Sequence, residues 1–236
     1  MKKVLILQGG YNEEHKVSLN TSKEVSKSLK KLKINFKTLT VNPNTFSSDI
    51  LDFSNDFICF NALHGTFGED GKIQKILKLN KFKTTHSSQS SSLNCFDKIK
   101  SKKIINKFKI QTPKYKIIKA KDINEKYLRK IKLKFKKFVL KPANSGSSYG
   151  LTIIKSTKDL IIFIKQLKKF YKKFYDNEKF LVEKYIAGKE LTVSILKNDL
   201  VTKPLEVTEI VSLNKIYDYK AKYTKGFSKH YIPARI

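Results

Sequence analysis

Acidic residues are scarce in this 236-residue chain: 20 Asp and Glu stand against 50 Lys and Arg, a formal charge of +30 at pH 7. Such a balance suggests phosphate contacts to nucleic acid. Arginine is scarcer still, however, with only Arg129 and Arg235 present. Arginine is the usual bidentate reader of base edges, and the lysines are spread through every segment instead of massed on one face or tail. The charge therefore reads as a solvated surface, with a basic nucleic-acid-binding protein as the competing possibility. Cysteine occurs twice, at Cys59 and Cys95, without CxxC spacing; reduced thiols are expected, with no disulfide and no zinc site. No run of 18 apolar residues occurs, and the short apolar stretch Val4 to Leu7 lacks the form of a signal peptide. The expectation is a soluble, cytoplasmic protein that binds neither a membrane nor a specific nucleic acid.

What is present is patterned. KKVLILQGG reads as a buried strand ending in a glycine turn. The following VSLNTSKEVSKSLKKL, with Val17, Leu19, Val25, Leu29 and Leu32 apolar, reads as a helix. NFKTLTV and DFICFNALHG are further strands, so an α/β domain with a parallel sheet under helices is predicted. After KFKTTHSS, a strand and turn, SSLNCFDKIKSKKIINKFKI has a helical period. FVLK and LTIIKS are strands around KPANSGSSYG, a helix spans about Lys158 to Tyr175, and FLVEKYIAGKELTVSIL supplies two strands joined by a turn at Ala187-Gly188. This second half predicts antiparallel sheet with helices, an α+β arrangement. The boundaries drawn are 1–96 for the α/β domain, 97–178 for a central subdomain and 179–236 for the start of a third.

The glycine- and serine-rich run 141–150 lies between two strands, unlike a P-loop, which lies between strand and helix and carries GxxxxGK[ST]. Its N–H groups and hydroxyls suit a cover over a polyphosphate. Lys98 and Lys141 lie where an ammonium could reach a phosphate. Glu183 and Glu190 flank a turn in an arrangement suited to adenine and ribose. His64 follows a parallel strand at its carboxyl end, where ligands of open α/β sheets bind. Glu14 either holds an ammonium group or favours the N-terminus of the next helix. Each feature alone has an ordinary surface explanation.

In order along the chain, GGYNEEHKVS, ALHGTFGEDG, FDKIKSK, KPANSGSSYG, VEKYIAGKE and YDYKAKY resemble the D-alanine–D-alanine ligases of the ATP-grasp superfamily. The resemblance implies an N-terminal α/β substrate domain followed by an ATP-grasp module. It also implies an ADP-forming ligase that joins two D-alanines through an acylphosphate for peptidoglycan synthesis, and so for cell-wall biogenesis and cell shape. ATP and Mg2+ or Mn2+ are the implied cofactors, and a homodimer is possible. Glu14 would bind the ammonium of the first D-alanine, with Val17 nearby, and His64 would lie near its carboxylate. Lys98, Lys141 and Lys222 would face the phosphates, covered by Ser147 and Ser148, while Glu183, Lys184, Ile186 and Glu190 match the nucleoside-binding stretch. Ser147 would join Glu14 and Tyr223 in a hydrogen-bonded lid, and the tyrosine resembles dipeptide-forming members, not depsipeptide-forming ones. Tyr149 and Phe96 depart from the small aliphatic residue and the methionine usual at those places. The family continues beyond SKHYIPARI with its metal ligands, so this chain is expected to be an incomplete form. A noncatalytic nucleotide- or dipeptide-binding remnant is the alternative.

Overall fold

The computed structural model describes residues 3–197, 201–213, 222–224 and 226–236. Its first layer is a parallel sheet in the order β2-β1-β3-β4, from β1 (Lys3–Gly9), β2 (Asn35–Val41), β3 (Phe57–Asn61) and β4 (Lys83–Thr84). Leu5, Ile6 and Leu7 are wholly buried in the sheet interior, as a central parallel strand covered on both faces requires. Leu5 and Leu7 pack with Phe46, Ile50, Ile73 and Leu77.

The helix after β1, α1 (His15–Lys31), buries Ser18 and Ser22 completely, while Leu19 and Leu32 are exposed. Its most deeply buried positions are thus small residues one turn apart. Burying a polar group calls for a hydrogen bond, and Ser18 Oγ accepts one from Gly9 N at 2.8 Å. Short helices α2 (Phe46–Asp49) and α3 (Lys72–Leu79) complete this layer. Next come α4 (Gln89–Phe96) and α5 (Lys98–Lys107), the latter capped by Asp97, whose Oδ1 accepts from Ile99 N and Lys100 N.

The second sheet is antiparallel in the order β5-β8-β6-β7, from β5 (Tyr115–Lys119), β6 (Phe138–Pro142), β7 (Thr152–Ile154) and β8 (Lys179–Lys184). Helix α6 (Glu125–Phe135) presents Leu128, Ile131 and Phe135, spaced three and four apart, to the core of this layer. Helix α7 (Thr157–Tyr171) opens on a capping box between Ser156 and Asp159. Phe138 and Phe180 fill the middle of the cluster, each contributing about 1.5–3 kcal/mol by leaving water.

Strands β9 (Glu190–Thr192), β12 (Thr208–Ser212) and β13 (Ser228–Tyr231) form a third sheet in the order β13-β12-β9, and β10 (Ile195–Lys197) pairs with β11 (Thr202–Pro204). The stretch around Ala187-Gly188 accordingly links two sheets and is not a hairpin: β8 belongs to the second sheet and β9 to the third. A division before Lys179 would cut β8 from both of its partners, so the second sheet ends with Lys184. No helix among the described residues is long and apolar enough to cross a membrane.

Candidate active site

Three segments far apart in sequence meet beyond the carboxyl end of β1. The first is the Gly9-Gly10 turn, whose φ of +94° and +77° favours glycine. It delivers the chain to α1 with Glu14 at the N-cap position, where the side chain makes no capping bond. Asn12 ties this turn to the loop after β3: its Oδ1 accepts from Glu14 N at 2.9 Å, and its Nδ2 donates to His64 O at 2.7 Å and Thr66 O at 3.1 Å. Glu14 is 7% exposed, with one carboxylate oxygen turned toward Gly65 and Gly146. A Cβ at either glycine would lie 2.6 or 2.9 Å from Glu14 Oε2, so both glycines make room for the carboxylate.

The second segment is the loop 144–150 between β6 and β7. Ser147 and Ser148 adopt φ of 45° and 60°, left-handed values that cost roughly 1–2 kcal/mol at each non-glycine residue. Gly150 ends the loop at φ +67°, with no space for a side chain, since a Cβ would sit 2.5 Å from Phe174 Cζ and 2.8 Å from Pro142 Cγ. The Tyr149 ring lies against Phe174, centroids 5.8 Å apart, which ties the loop to the segment after α7.

The third segment is Tyr223. Its hydroxyl donates to Glu14 Oε1 at 2.8 Å and contacts Ser147 Oγ at 2.6 Å, while Ser147 Oγ donates to the same carboxylate oxygen. Three oxygens thus form a triangle with only two hydroxyl protons. Burial, and with it the Glu14 carboxylate, pushes the Tyr223 phenol up to about 12, so it remains a donor. Residues 217–221 of the YDYKAKY stretch lie outside the described residues.

Cations line the approach. Lys98 Nζ donates to Ser145 O at 2.6 Å, gripping the base of the loop. Burial, then repulsion from Lys141, lowers its pKa to about 8. Lys222 is close enough to act on both Lys98 and Glu69. Lys141 is paired with Glu183, and Glu183 also receives Lys102 at 2.7 Å. Burial opposes ionisation of Glu183, but the two lysines outweigh it and hold its carboxyl below the usual value.

The sequence-predicted nucleoside residues therefore separate. Ile186 and Glu190 line a cleft of about 570 Å³ with Ile153 and Tyr185 between the second and third sheets, whereas Glu183 and Lys184 do not line it. Glu183 is instead buried on β8, beside the loop's entering strand β6.

His64 reaches Thr21 Oγ1 through Nε2 at 2.9 Å and has Glu69 Oε1 3.8 Å from Nδ1. Burial lowers its pKa against the opposing field of Glu14, and burial raises that of Glu69. Val17 is half-buried on α1, and its carbonyl accepts from Thr21. Sequence reasoning did not single out Asn12, Thr21, Glu69 or Lys102. Asn12, Glu69 and Lys102 stand inside quoted motifs, but Lys102 is one lysine among many and only its 7% exposure sets it apart.

A family model described as "D-ala D-ala ligase C-terminus" matches residues 104–236. A D-alanine–D-alanine ligase of Pelagibacter ubique is 42% identical over 236 residues, covering 98% of this chain and 72% of that protein. The chain belongs to the D-alanine–D-alanine ligase family. Among solved structures, the D-alanyl-alanine synthetase A of Vibrio cholerae superposes with a TM-score of 0.76 at 21% identity, covering 97% of this chain and 73% of that one, which speaks for the fold. The Bacillus anthracis D-alanine–D-alanine ligase complexed with ATP superposes at 0.72 with 25% identity, covering 98% and 70%. The architecture is the ATP-grasp fold of this ligase family, its parallel and antiparallel sheets in the predicted order. Among the described residues no group of three or more His, Cys, Asp and Glu is placed to hold a metal ion.

Proposed function

We propose that this chain performs the ligase family's work on D-alanine: ATP phosphorylates the carboxylate of one D-alanine, and the amine of a second displaces phosphate to give D-alanyl-D-alanine for peptidoglycan synthesis in the cytoplasm. The observation that carries the reading is the Glu14–Ser147–Tyr223 triangle, in which residues up to 209 positions apart close over one cleft. Glu14 would take the ammonium of the first D-alanine through its carboxylate, and His64 would lie by that substrate's carboxylate. Lys98, Lys141 and Lys222 would neutralise phosphate oxygens, and Ser147 and Ser148 would bring the loop over them. Ile186 and Glu190 would meet the nucleoside, with Glu183 and Lys184 on the connecting strand; the Glu183 carboxylate would act mainly by holding Lys141 in place.

Loop 144–150 is the lid in this scheme. Closing it excludes water from an acylphosphate that water would destroy and surrounds the transferring group with fixed dipoles. The triangle would latch the lid when Tyr223 docks. Substrates are D-alanine and ATP, with a homodimer as the assembly to test.

Given ATP, Mg2+ and D-alanine, the purified protein should release ADP and phosphate and form the dipeptide if residues 1–236 suffice for the reaction. Nucleotide binding without D-alanine-dependent phosphate release would instead establish a noncatalytic nucleotide- or dipeptide-binding chain.

A further inference from the structure

Proton bookkeeping around His64 leads to a residue with no role in the scheme above. Thr21 is on the second turn of α1, and its hydroxyl has one hydrogen to give. Two partners compete for that hydrogen: Val17 O at 3.0 Å and His64 Nε2 at 2.9 Å. If the imidazole carries its proton on Nε2, His64 donates to Thr21 and Thr21 donates to Val17 O, an unbroken chain of two hydrogen bonds. If the proton sits on Nδ1, Thr21 turns its hydrogen to His64. The Nδ1–H then meets Glu69 Oε1 at 3.8 Å, beyond hydrogen-bond reach. The first arrangement makes two bonds that polarise one another and the second makes one.

We propose that Thr21 is a positioning residue that holds neutral His64 in the Nε2–H tautomer, leaving Nδ1 as the nitrogen that accepts a proton in the cleft. Two carboxylates face the ring, and both favour a proton gained on Nδ1 over a bare lone pair there. Glu69 stands nearest to Nδ1, and the field of Glu14 reaches the ring. Lys98 and His86 lie across the same cleft of about 550 Å³. Lys222 acts on Glu69. A bare nitrogen lone pair repels an arriving carboxylate, so binding the first substrate's carboxylate beside His64 would draw one proton from solvent onto Nδ1. That consequence rests on the proposed place of His64 beside the substrate; the tautomer itself does not.

The two are separable by experiment. In the full chain labelled with 15N-histidine, two-bond proton–nitrogen spectra should show His64 with a pyrrole-type Nε2 and a pyridine-type Nδ1, the resonance being assigned by its loss in His64→Gln. Thr21→Ser keeps the hydroxyl and should keep the pattern. Thr21→Val keeps the shape without the acceptor and should shift population to the Nδ1–H form. A wild-type His64 protonated on Nδ1 overturns the proposal, as does a Thr21→Val spectrum identical to wild type. Should Thr21→Val fail to fold, the wild-type and Thr21→Ser spectra decide. D-alanine affinity, measured with a nonhydrolysable ATP analogue in buffers of different ionisation heat, should fall roughly three- to tenfold in Thr21→Val, the worth of one ordinary hydrogen bond. It should recover in Thr21→Ser. A shifted tautomer with unchanged D-alanine affinity upholds the hold of Thr21 and removes the substrate role of His64.

Discussion

Two hydroxyl protons shared among three oxygens make the Ser147–Glu14–Tyr223 triangle sensitive to the loss of either proton. Ser147→Ala and Tyr223→Phe each leave Glu14 with one donor, and hydrogen bonds to a carboxylate carry about 1.5–3 kcal/mol. Each substitution should lower turnover by about ten- to a hundredfold, read as ADP release, and the double variant should fall by less than the product of the two because they share one partner. Unchanged turnover and nucleotide affinity in both single variants would remove the latch. Lys98 gives a pH signature. Its folded pKa of about 8 lies below the ordinary 10.5, so the free protein loses this charge as pH rises through about 8. Affinity for ATP should decline over that interval and the decline should flatten in Lys98→Met, by titration calorimetry. The stability linkage has the opposite sense. Between about 8 and 10.5 the unfolded chain holds a proton that the folded chain has released, so this group adds stability as pH climbs through that window.

At the scale of elements, loop 144–150 depends on Gly150. An alanine there would adopt a left-handed φ and drive its Cβ into Phe174 and Pro142, a loss of about 2 kcal/mol or more from strain and overpacking. Urea unfolding should register it, and nucleotide affinity should fall with it because Lys98 grips the same loop. The loop's place between two strands was legible from FVLK and LTIIK on either side of KPANSGSSYG, and NFKTLTV became β2 residue for residue. Helix α6 was not legible. Its KIKLKF alternates lysine with apolar residues at the period of a strand, and it is a helix because Leu128, Ile131 and Phe135 share a face that the second sheet covers. The connection at Ala187-Gly188 misled for a related reason: a short turn between two apolar runs signals a hairpin, and sequence carries no mark that the second run joins another sheet. Glu183 looked like a surface acceptor because its two lysine partners, Lys102 and Lys141, come from an α-helix and a neighbouring strand.

Across the whole molecule, the motifs that carry Glu14, Ser147 and Tyr223 meet, whereas the half-buried supports beside them, Asn12 and Thr21, were not singled out in the sequence. The overall charge raises a separate question. With 50 basic and 20 acidic residues, neighbouring lysines repel throughout the folded surface, and self-repulsion at high net charge favours expansion. The Debye length shortens from about 30 Å at 0.01 M salt to about 10 Å at 0.1 M. The melting midpoint should therefore rise over this range, while a chain stabilised chiefly by surface ion pairs would lose stability. The same titration tests nucleic acid as a partner. Scattered lysine charge should bind duplex DNA at low salt with a steep logarithmic salt slope, leaving only the roughly 10⁻⁴ to 10⁻⁶ M affinity of nonspecific contacts near physiological salt. Tight binding that persists there and prefers one sequence would mean that the basic surface is an interface, and that a ligase of this family has taken a second partner.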